Sequence, residues 1–243
     1  EVRAVGEQLG LPAAMVWRQP FPGPGLGVRL LCVGSESEHR NGTDFPALRS
    51  QALTLLGITC RVDVPPVKSV GVQGDARTYR HFAVLADYDK DWDLLADAAV
   101  RLVNGHDDVN RVALRVSSSP LPDNFLGYAL TPGAPHTVTK RRLDVLRKAD
   151  DIATSHLQRA GFMKAIWQCP VAMAPLTHDP SLHREVIILR PVDSTEAMTA
   201  TFFRLPFDTL EAIAAAILAA LPDDVADVFF DITNKPPGTI EWE

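Results

Sequence analysis

Three segments of the chain combine charged side chains with glycine or proline at spacings that secondary structure alone does not require. The first is the turn Gly74-Asp75-Ala76-Arg77, where an acid and a base stand two positions apart after an apolar run. A hairpin explains the glycine, and a local ion pair is one explanation of the two charges. The other is a binding role, because a carboxylate on a turn can accept hydrogen bonds from a ring N–H or a hydroxyl group.

The second segment, residues 231–243, is called the tail below. It carries two adjacent prolines, a tryptophan and charges of both signs. Lys235 can neutralise a phosphate group as a point charge, and the prolines that follow it stiffen the backbone. Glu241 can accept a hydrogen bond from a hydroxyl or amide group. The alternative is an ordinary chain end, which would be poorly ordered unless Trp242 tied it down.

The third segment is Phe21-Pro-Gly-Pro-Gly25. Its glycines allow the backbone to approach a ligand closely, and its prolines keep the loop rigid. A stiff connection between a helix and a strand explains the same residues equally well.

Motifs of metal centres and of nucleophilic catalysis are absent from the sequence. The tightest histidine cluster, His178-Asp179-x-x-x-His183, has no zinc-site spacing and predicts a solvated loop. The sequence contains no G-x-S-x-G turn, P-loop or H-E-x-x-H helix. We therefore predict no catalytic residue, no metal and no cofactor bound by this chain.

The composition restricts the class of protein. A formal charge of -6 argues against a nucleic-acid partner, which requires a concentrated basic surface. No apolar run is long enough to cross a membrane, and the three cysteines are widely spaced, as in a reduced cytoplasmic protein. Because the chain opens at Glu1 within helix-like sequence, we expect it to be part of a longer protein.

The order of predicted elements runs twice along the chain after a lead-in of residues 1–25. We divide the rest into a first unit (26–117), a linker (118–138) and a second unit (139–243). The predicted first unit has strands at 27–33, 67–72, 79–85 and 109–116, and helices at 45–57 and 92–104. The predicted second unit has helices at 139–160 and 208–221, and strands at 165–175, 185–190, 199–205 and 225–232. In detail, Asn110–Leu114 aligns with Ala226–Phe230.

This pattern predicts an α+β fold of two similar units, each a small antiparallel sheet with helices on one face. The two units would pack against each other as a pseudo-dimer. Because an internal pseudo-dimer can satisfy the same surfaces as a true dimer, the sequence does not decide whether whole chains also form a homodimer.

Five motifs in order resemble the C-terminal region of GMP synthases, and together they extend over most of the chain. They are Arg18-x-Pro-Phe-Pro-Gly-Pro-Gly25, Ser69-Val-Gly-Val-x-Gly-Asp-x-Arg-Thr-Tyr79, Leu143-Asp-x-Leu-Arg-Lys-Ala-Asp150, Ile166-Trp-Gln168 and Asp231-Ile-Thr-x-Lys-Pro-Pro-Gly-Thr-Ile-Glu-Trp-Glu243. The resemblance implies an enzyme that converts xanthosine monophosphate (XMP) to GMP, using glutamine and, with Mg, ATP. The family's amidotransferase cysteine and its Ser-Gly-Gly-x-Asp-Ser loop are missing from this sequence, so we expect the isolated chain to be inactive.

The resemblance also implies a single composite site for XMP, shared between the units. Asp75 would come from the first unit, and Gln168, Lys235 and Glu241 from the second, with Lys235 at the phosphate. Further contacts implied by the same motifs are Ile240, Arg77, Pro22, Gly23 and Gly25. The other implied partners are the enzyme's own ATP-pyrophosphatase and amidotransferase domains. The competing hypothesis is a pure dimerisation module whose tail serves packing and which has no affinity for a ligand.

Overall fold

The computed structural model describes residues 2–19, 25–34, 43–73, 76–117, 120–121, 125, 127–133 and 136–243. Its helices are α1 (Val2–Gln8), α2 (Ala13–Val16), α3 (Phe45–Leu56), α4 (Trp92–Gly105), α5 (Lys140–Arg159) and α6 (Phe207–Ala220). Its strands are β1 (Arg61–Asp63), β2 (Lys68–Gln73), β3 (Ala76–Ala86), β4 (Val109–Arg115), β5 (Ala129–Leu130), β6 (Val171–Ala174), β7 (Leu176–Thr177), β8 (Glu185–Leu189), β9 (Val192–Asp193), β10 (Thr201–Phe202) and β11 (Val225–Asp231). Among these residues no helix is both long and apolar enough to span a bilayer.

One mixed sheet of seven strands runs through both predicted units. Its order is β1, β3, β4, β11, β8 and β6, and β2 also pairs with β3. The α+β class is confirmed, but the prediction of an antiparallel sheet in each unit is wrong, because β3 is parallel to β4 and β8 is parallel to β11. The reason is the helix inside each connection: α4 joins β3 to β4 and α6 precedes β11, and a helical crossover returns the chain in the same direction.

The two halves of the sheet meet at the antiparallel pair β4 and β11, and the register of this pair is symmetric. Leu114 faces Phe230, Arg115 faces Phe229 and Ala113 faces Asp231. The two strands are related by an offset of 116 in residue number, which converts 114 into 230. When 116 is added to each β4 number and subtracted from each β11 number, the same three pairs are obtained. This is the register that two halves related by a two-fold axis would have. That the halves form a duplicated pseudo-dimer stays a prediction.

Both parallel ladders also carry an irregularity at equivalent positions. The pairing of β3 with β4 skips Asn110, and the pairing of β8 with β11 skips Ala226. These are the first residues of the two segments aligned from sequence. The structural equivalence therefore agrees with that alignment residue by residue.

The helices cover one face of the sheet and irregular segments cover the other. Buried residues of α3, α4, α5 and α6 form a single apolar cluster with one face of the strands. On the opposite face the cover comes from Leu31, Val33, Tyr128, Leu176 and Trp242. The prediction of helices on one face is confirmed. On the other face, Trp242 of the tail is part of the core.

The predicted strand at 27–33 is wrong. Gly25 has a φ of 82°, and residues Leu26–Arg29 that follow it form a 3₁₀ helix. Only single bridges follow, between Leu30 and Met173 and between Val33 and His136. The segment is apolar because it covers the edge of the second unit's sheet, and burial alone does not distinguish such a segment from a strand.

The described part of the linker contacts both units, since the amide of Tyr128 donates to Asp63 of the first unit at 2.6 Å. The linker strand β5 pairs with β7 of the second unit, with Ala129 opposite Thr177. The domain boundaries at 25, 117 and 138 stay a prediction.

Candidate functional site

A buried cluster of three charges anchors the start of the tail. Nη1 of Arg111 lies 2.9 Å and Nη1 of Arg190 lies 2.8 Å from the same oxygen, Oδ2 of Asp231. All three side chains are 0% exposed. Burial and the neighbouring charge of Arg190 lower the pKa of Arg111 to about 9, and Asp231 opposes that shift. One carboxylate therefore balances two guanidinium groups away from water.

The same two arginines hold the backbone of the tail. Arg111 donates to the carbonyl oxygens of Thr239 and Glu241 at 3.0 and 2.8 Å. Arg190 donates to the carbonyl oxygens of Thr239 and Thr233, both at 2.9 Å. Because guanidinium groups have several donors in a fixed plane, these bonds fix the path of the tail on the sheet.

Trp242 closes the tail against the first unit. Its ring is 0% exposed and meets the ring of Phe82 edge-on at a centroid distance of 4.9 Å. The guanidinium carbon of Arg111 lies 4.8 Å from the centre of the same ring, which is the geometry of a cation–π contact. The aromatic residue of the tail is thus a core residue, and its packing partners lie on β3 and β4.

The tail also pairs with the hairpin formed by β2 and β3. The amide of Val72 donates to the carbonyl oxygen of Pro237 at 2.7 Å. Gly71 pairs with Gly238, and a Cβ atom at Gly71 would lie 2.8 Å from the carbonyl oxygen of Pro237. Glycine is therefore required for this close approach. The approach holds the middle of the tail against β2. Asp75, which follows β2 in the sequence, lies outside the described residues.

A second cluster surrounds the carboxylate of Glu241. Nε2 of Gln168 donates to its Oε1 at 3.4 Å, and Nε of Arg29 lies 3.7 Å from its Oε2. Nη1 of Arg29 also donates to Asp150 at 3.3 Å. Burial raises the pKa of Glu241, and the charges of Arg29 and the two anchoring arginines oppose that shift. Within the described part of the chain, Oε2 is buried without a hydrogen-bond partner.

The lead-in reaches the same cluster. Nε2 of Gln19 donates to the carbonyl oxygen of Ile166 at 3.2 Å, and its Oε1 accepts from the amide of Cys169 at 3.2 Å. Burial raises the pKa of the Cys169 thiol to about 12, so this cysteine stays protonated and unreactive. Four motifs therefore meet around Glu241: the lead-in, the end of the α5 motif at Asp150, the segment of Gln168 and the tail.

Lys235 lies in a different groove. Its ammonium group donates to the carbonyl oxygen of Ala197 at 2.5 Å, and its backbone pairs with Ala200. The groove has a volume of about 490 Å³ and is lined by residues 193–196, 199–201 and 234–236. Its walls include Asp193 and Glu196, whose negative charges would repel a phosphate. The described contacts of Lys235 are thus separate from those of Glu241.

The other predicted site residues are placed as follows. Gln168 and Glu241 are brought together. Arg77 is exposed on β3 opposite Val72, and Ile240 is half-buried in the tail. Pro22 and Gly23, like Asp75, lie outside the described residues. Gly25 immediately precedes the 3₁₀ helix that carries Arg29. A Cβ atom at this position would meet nothing within 4 Å, so the reason for glycine is its positive φ.

Sequence reasoning missed the arginines of both clusters. Arg29, Arg111 and Arg190 each interrupt or end an apolar run that was assigned to a strand. A charged residue inside a buried strand requires a partner, and that was the available signal. Asp150 was part of a quoted motif but was not singled out.

Comparison with known proteins places these segments in a known context. Residues 155–242 match the model of the GMP synthase C terminal domain. The chain is 40% identical over 248 residues to a probable glutamine-hydrolyzing GMP synthase of Leptospira interrogans serogroup Icterohaemorrhagiae, covering 100% of this chain and 38% of that protein. It is 31% identical over 249 residues to the enzyme of Thermobifida fusca, covering 100% of this chain and 27% of that protein. It is 28% identical over 280 residues to the enzyme of Dictyostelium discoideum, covering 100% and 39%. The chain therefore spans well under half the length of these curated relatives.

Proposed function

We propose that this chain, which belongs to the GMP synthase family and carries its C-terminal domain, is the part of such an enzyme that binds XMP and supports its assembly. In the whole enzyme it would act with the ATP-pyrophosphatase and amidotransferase domains, in the cytoplasm. ATP, Mg and glutamine would be used there, and GMP would be the product.

The observation that carries the proposal is the arrangement around Glu241: Gln168 donates to its carboxylate, and Arg29 links it to Asp150. Gln19 holds the backbone beside Gln168 in place. The Oε2 atom of Glu241 is buried and pairs with Nε of Arg29 at 3.7 Å, but it has no hydrogen bond within the described residues. A buried carboxylate oxygen without a hydrogen bond is costly, and a ligand could supply the donor. A hydroxyl or ring N–H of XMP is such a donor. Gln168, whose amide already reaches Glu241, is placed to contact the same polar groups.

Lys235 would bind the phosphate of XMP in the groove lined by residues 193–196, 199–201 and 234–236. Its ammonium group has donors beyond the one used on the carbonyl of Ala197. The acidic residues Asp193 and Glu196 in the groove limit how strongly an anion is attracted there. Asp75, which lies outside the described residues, would complete the site from the first unit.

The isolated chain is expected to make no GMP. The Ser-Gly-Gly-x-Asp-Ser loop of the family's ATP-pyrophosphatase domain is missing from this sequence. The groups that would stabilise the transition state of adenylation belong to that domain, and binding residues cannot replace them. Incubation with XMP, ATP, Mg and ammonia should therefore yield no product, and measurable turnover would refute the assignment of catalysis to other domains.

A second candidate function, a pure dimerisation module, is favoured by one specific observation. The tail is tied down by protein contacts: Trp242 is fully buried, and Arg111 and Arg190 satisfy its carbonyl oxygens. Its order requires no ligand. Under this candidate Glu241 would have a packing role only.

The test is calorimetric titration of XMP into the chain and into two matched variants. Lys235→Glu removes a lysine that donates to a backbone carbonyl in the groove, and Lys148→Glu removes one that donates to the carbonyl of Ala220 on an exposed helix. A lost charge-assisted contact of about 1.5–3 kcal/mol predicts a weakening of about 10- to 100-fold for Lys235→Glu alone.

Weak binding by the isolated chain is compatible with the proposal, because part of the site lies on other domains. The KM for XMP of the intact enzyme then provides the measurement, and it should rise in Lys235→Glu and stay constant in Lys148→Glu. An unchanged KM in both variants would leave the dimerisation module as the function.

A further inference from the structure

The central strand pair carries two buried ion pairs at positions related by its symmetric register. Arg111 binds Asp231 at 2.9 Å, and Arg115 binds Asp227 at 2.5 Å. The offset of 116 that relates the strands carries Arg111 to Asp227 and Arg115 to Asp231. Each ion pair is therefore the symmetry mate of the other, with the charges exchanged.

The signs of the charges are segregated by unit. Both arginines lie on β4 in the first unit, and both aspartates lie on β11 in the second. An interface between two identical units would place one arginine and one aspartate on each strand. Here each strand is complementary only to the other strand.

We infer that β4 and β11 form a charge-coded interface that admits only an unlike unit, so that a first unit pairs with a second unit and never with another first unit. The same code excludes pairing between two second units. This inference concerns how units recognise each other, and it stands whether or not the chain binds XMP.

The physical reason is the cost of burying like charges. In a pair of two first units with the same register, Arg111 of each would face Arg115 of the other. The arginine side chains are only 0% and 7% exposed, so water cannot screen the repulsion. Uncompensated buried charges are strongly destabilising, and repulsion against the wrong partner is an effective source of specificity.

The segments that follow each strand reinforce the unlike pairing. After β11 the tail crosses to the first unit, where Pro237 accepts from Val72. After β4 the linker crosses to the second unit, where β5 pairs with β7. Each unit thus covers part of the other.

Charge reversal at one ion pair tests the code, because it changes which partners are complementary. Arg115→Asp places two carboxylates together within the chain, but it gives β4 one charge of each sign and so permits pairing of two first units. We expect a melting temperature about 10 °C lower and self-association that increases with concentration in sedimentation. Asp227→Arg should do the same through β11.

The double variant Arg115→Asp/Asp227→Arg restores opposite charges within the chain. It should recover most of the melting temperature and return to the oligomeric state of the unchanged protein. Arg204→Asp is the matched control, because Arg204 makes an exposed ion pair with Asp93, and it should leave both measurements unchanged. If Arg115→Asp has the melting temperature and sedimentation of the unchanged protein, these charges do not determine which units pair, and the inference is wrong.

A mixing experiment covers the case in which the single variants do not fold alone. Arg115→Asp and Asp227→Arg, distinguished by mass, are unfolded and refolded together, since units exchanged between the two copies restore both ion pairs. We expect a folded mixed species in which both masses are present. Recovery of no mixed species, together with no rescue in the double variant, would overturn the inference.

Discussion

The two ion pairs of the central strands occupy equivalent places on the sheet and have different neighbours. Around Arg111 and Asp231 lie a second arginine, Arg190, and the backbone of the tail. Around Arg115 and Asp227 lie the hydroxyl groups of Ser117 and Tyr128, both of which donate to Asp227. Burial, with the charge of Asp227 second, raises the pKa of Tyr128 well above its usual value, so its hydroxyl remains a donor.

The difference lies in which groups complete the hydrogen bonds of each ion pair. At the Asp227 end, neutral hydroxyl groups complete the hydrogen bonds of one ion pair. At the Asp231 end, an excess positive charge is used to hold carbonyl oxygens of the segment that carries Glu241. The tail end is therefore organised around a candidate binding residue, and the linker end is organised for packing.

The comparison predicts that Asp231 is the more costly of the two aspartates to remove. Asp231→Asn removes the carboxylate that two fully buried guanidinium groups share, and we expect a loss of about 3–5 kcal/mol in the free energy of unfolding. Denaturation in urea measures it. Asp224→Asn, which affects an exposed pair with Arg141, is the control and should change stability by less than about 0.5 kcal/mol.

Asp227→Asn should have a smaller effect. Arg115 keeps a bond to the carbonyl oxygen of Ser117 at 3.1 Å, and only one guanidinium loses its partner. We expect a loss of about 2–3 kcal/mol, the size of a hydrogen-bonded charged contact, in the same urea experiment. Equal losses from Asp227→Asn and Asp231→Asn would mean that the two ends are energetically alike and would break the comparison.

The smallest predicted effect is a pH dependence at Glu241. Its pKa is raised in the folded protein, mainly by burial, so between the ordinary value of 4.5 and the raised value the folded state holds a proton that the unfolded state releases. Stability contributed by this group is therefore lost as pH rises through that window. Glu241→Gln should therefore gain in stability relative to the unchanged protein as the pH rises above about 4.5. A constant difference between the two across this range would show that the carboxylate is not strained by burial.

Much of the fold was accessible from local patterns in the sequence. The helix predicted at 92–104 is observed at Trp92–Gly105, and the helix predicted at 139–160 is observed at Lys140–Arg159. The final strand of each unit was also placed within a residue at each end. These elements have clear apolar periodicity and end signals, which depend only on near neighbours.

The direction of the strands and the cover of the second face could not be predicted in this way. Both depend on partners far away in the sequence, as when Val72 pairs with Pro237. The site was only partly accessible for the same reason. Gln168 and Glu241 were identified by resemblance and do meet, whereas the role of Arg29 appears only when the start of the first unit is folded against the tail.

The reach of Arg111 has a consequence for synthesis of the chain on the ribosome. Its partners Asp231, Thr239 and Glu241 follow it by 120, 128 and 130 residues. At translation rates of about 5–20 residues per second, a delay of about 6–24 s separates the arginine from its counter-ion. During that interval the face of the first unit's strands that the tail will cover is exposed, and Arg111 lacks its counter-ion. A chaperone could bind this surface until the tail has been synthesised.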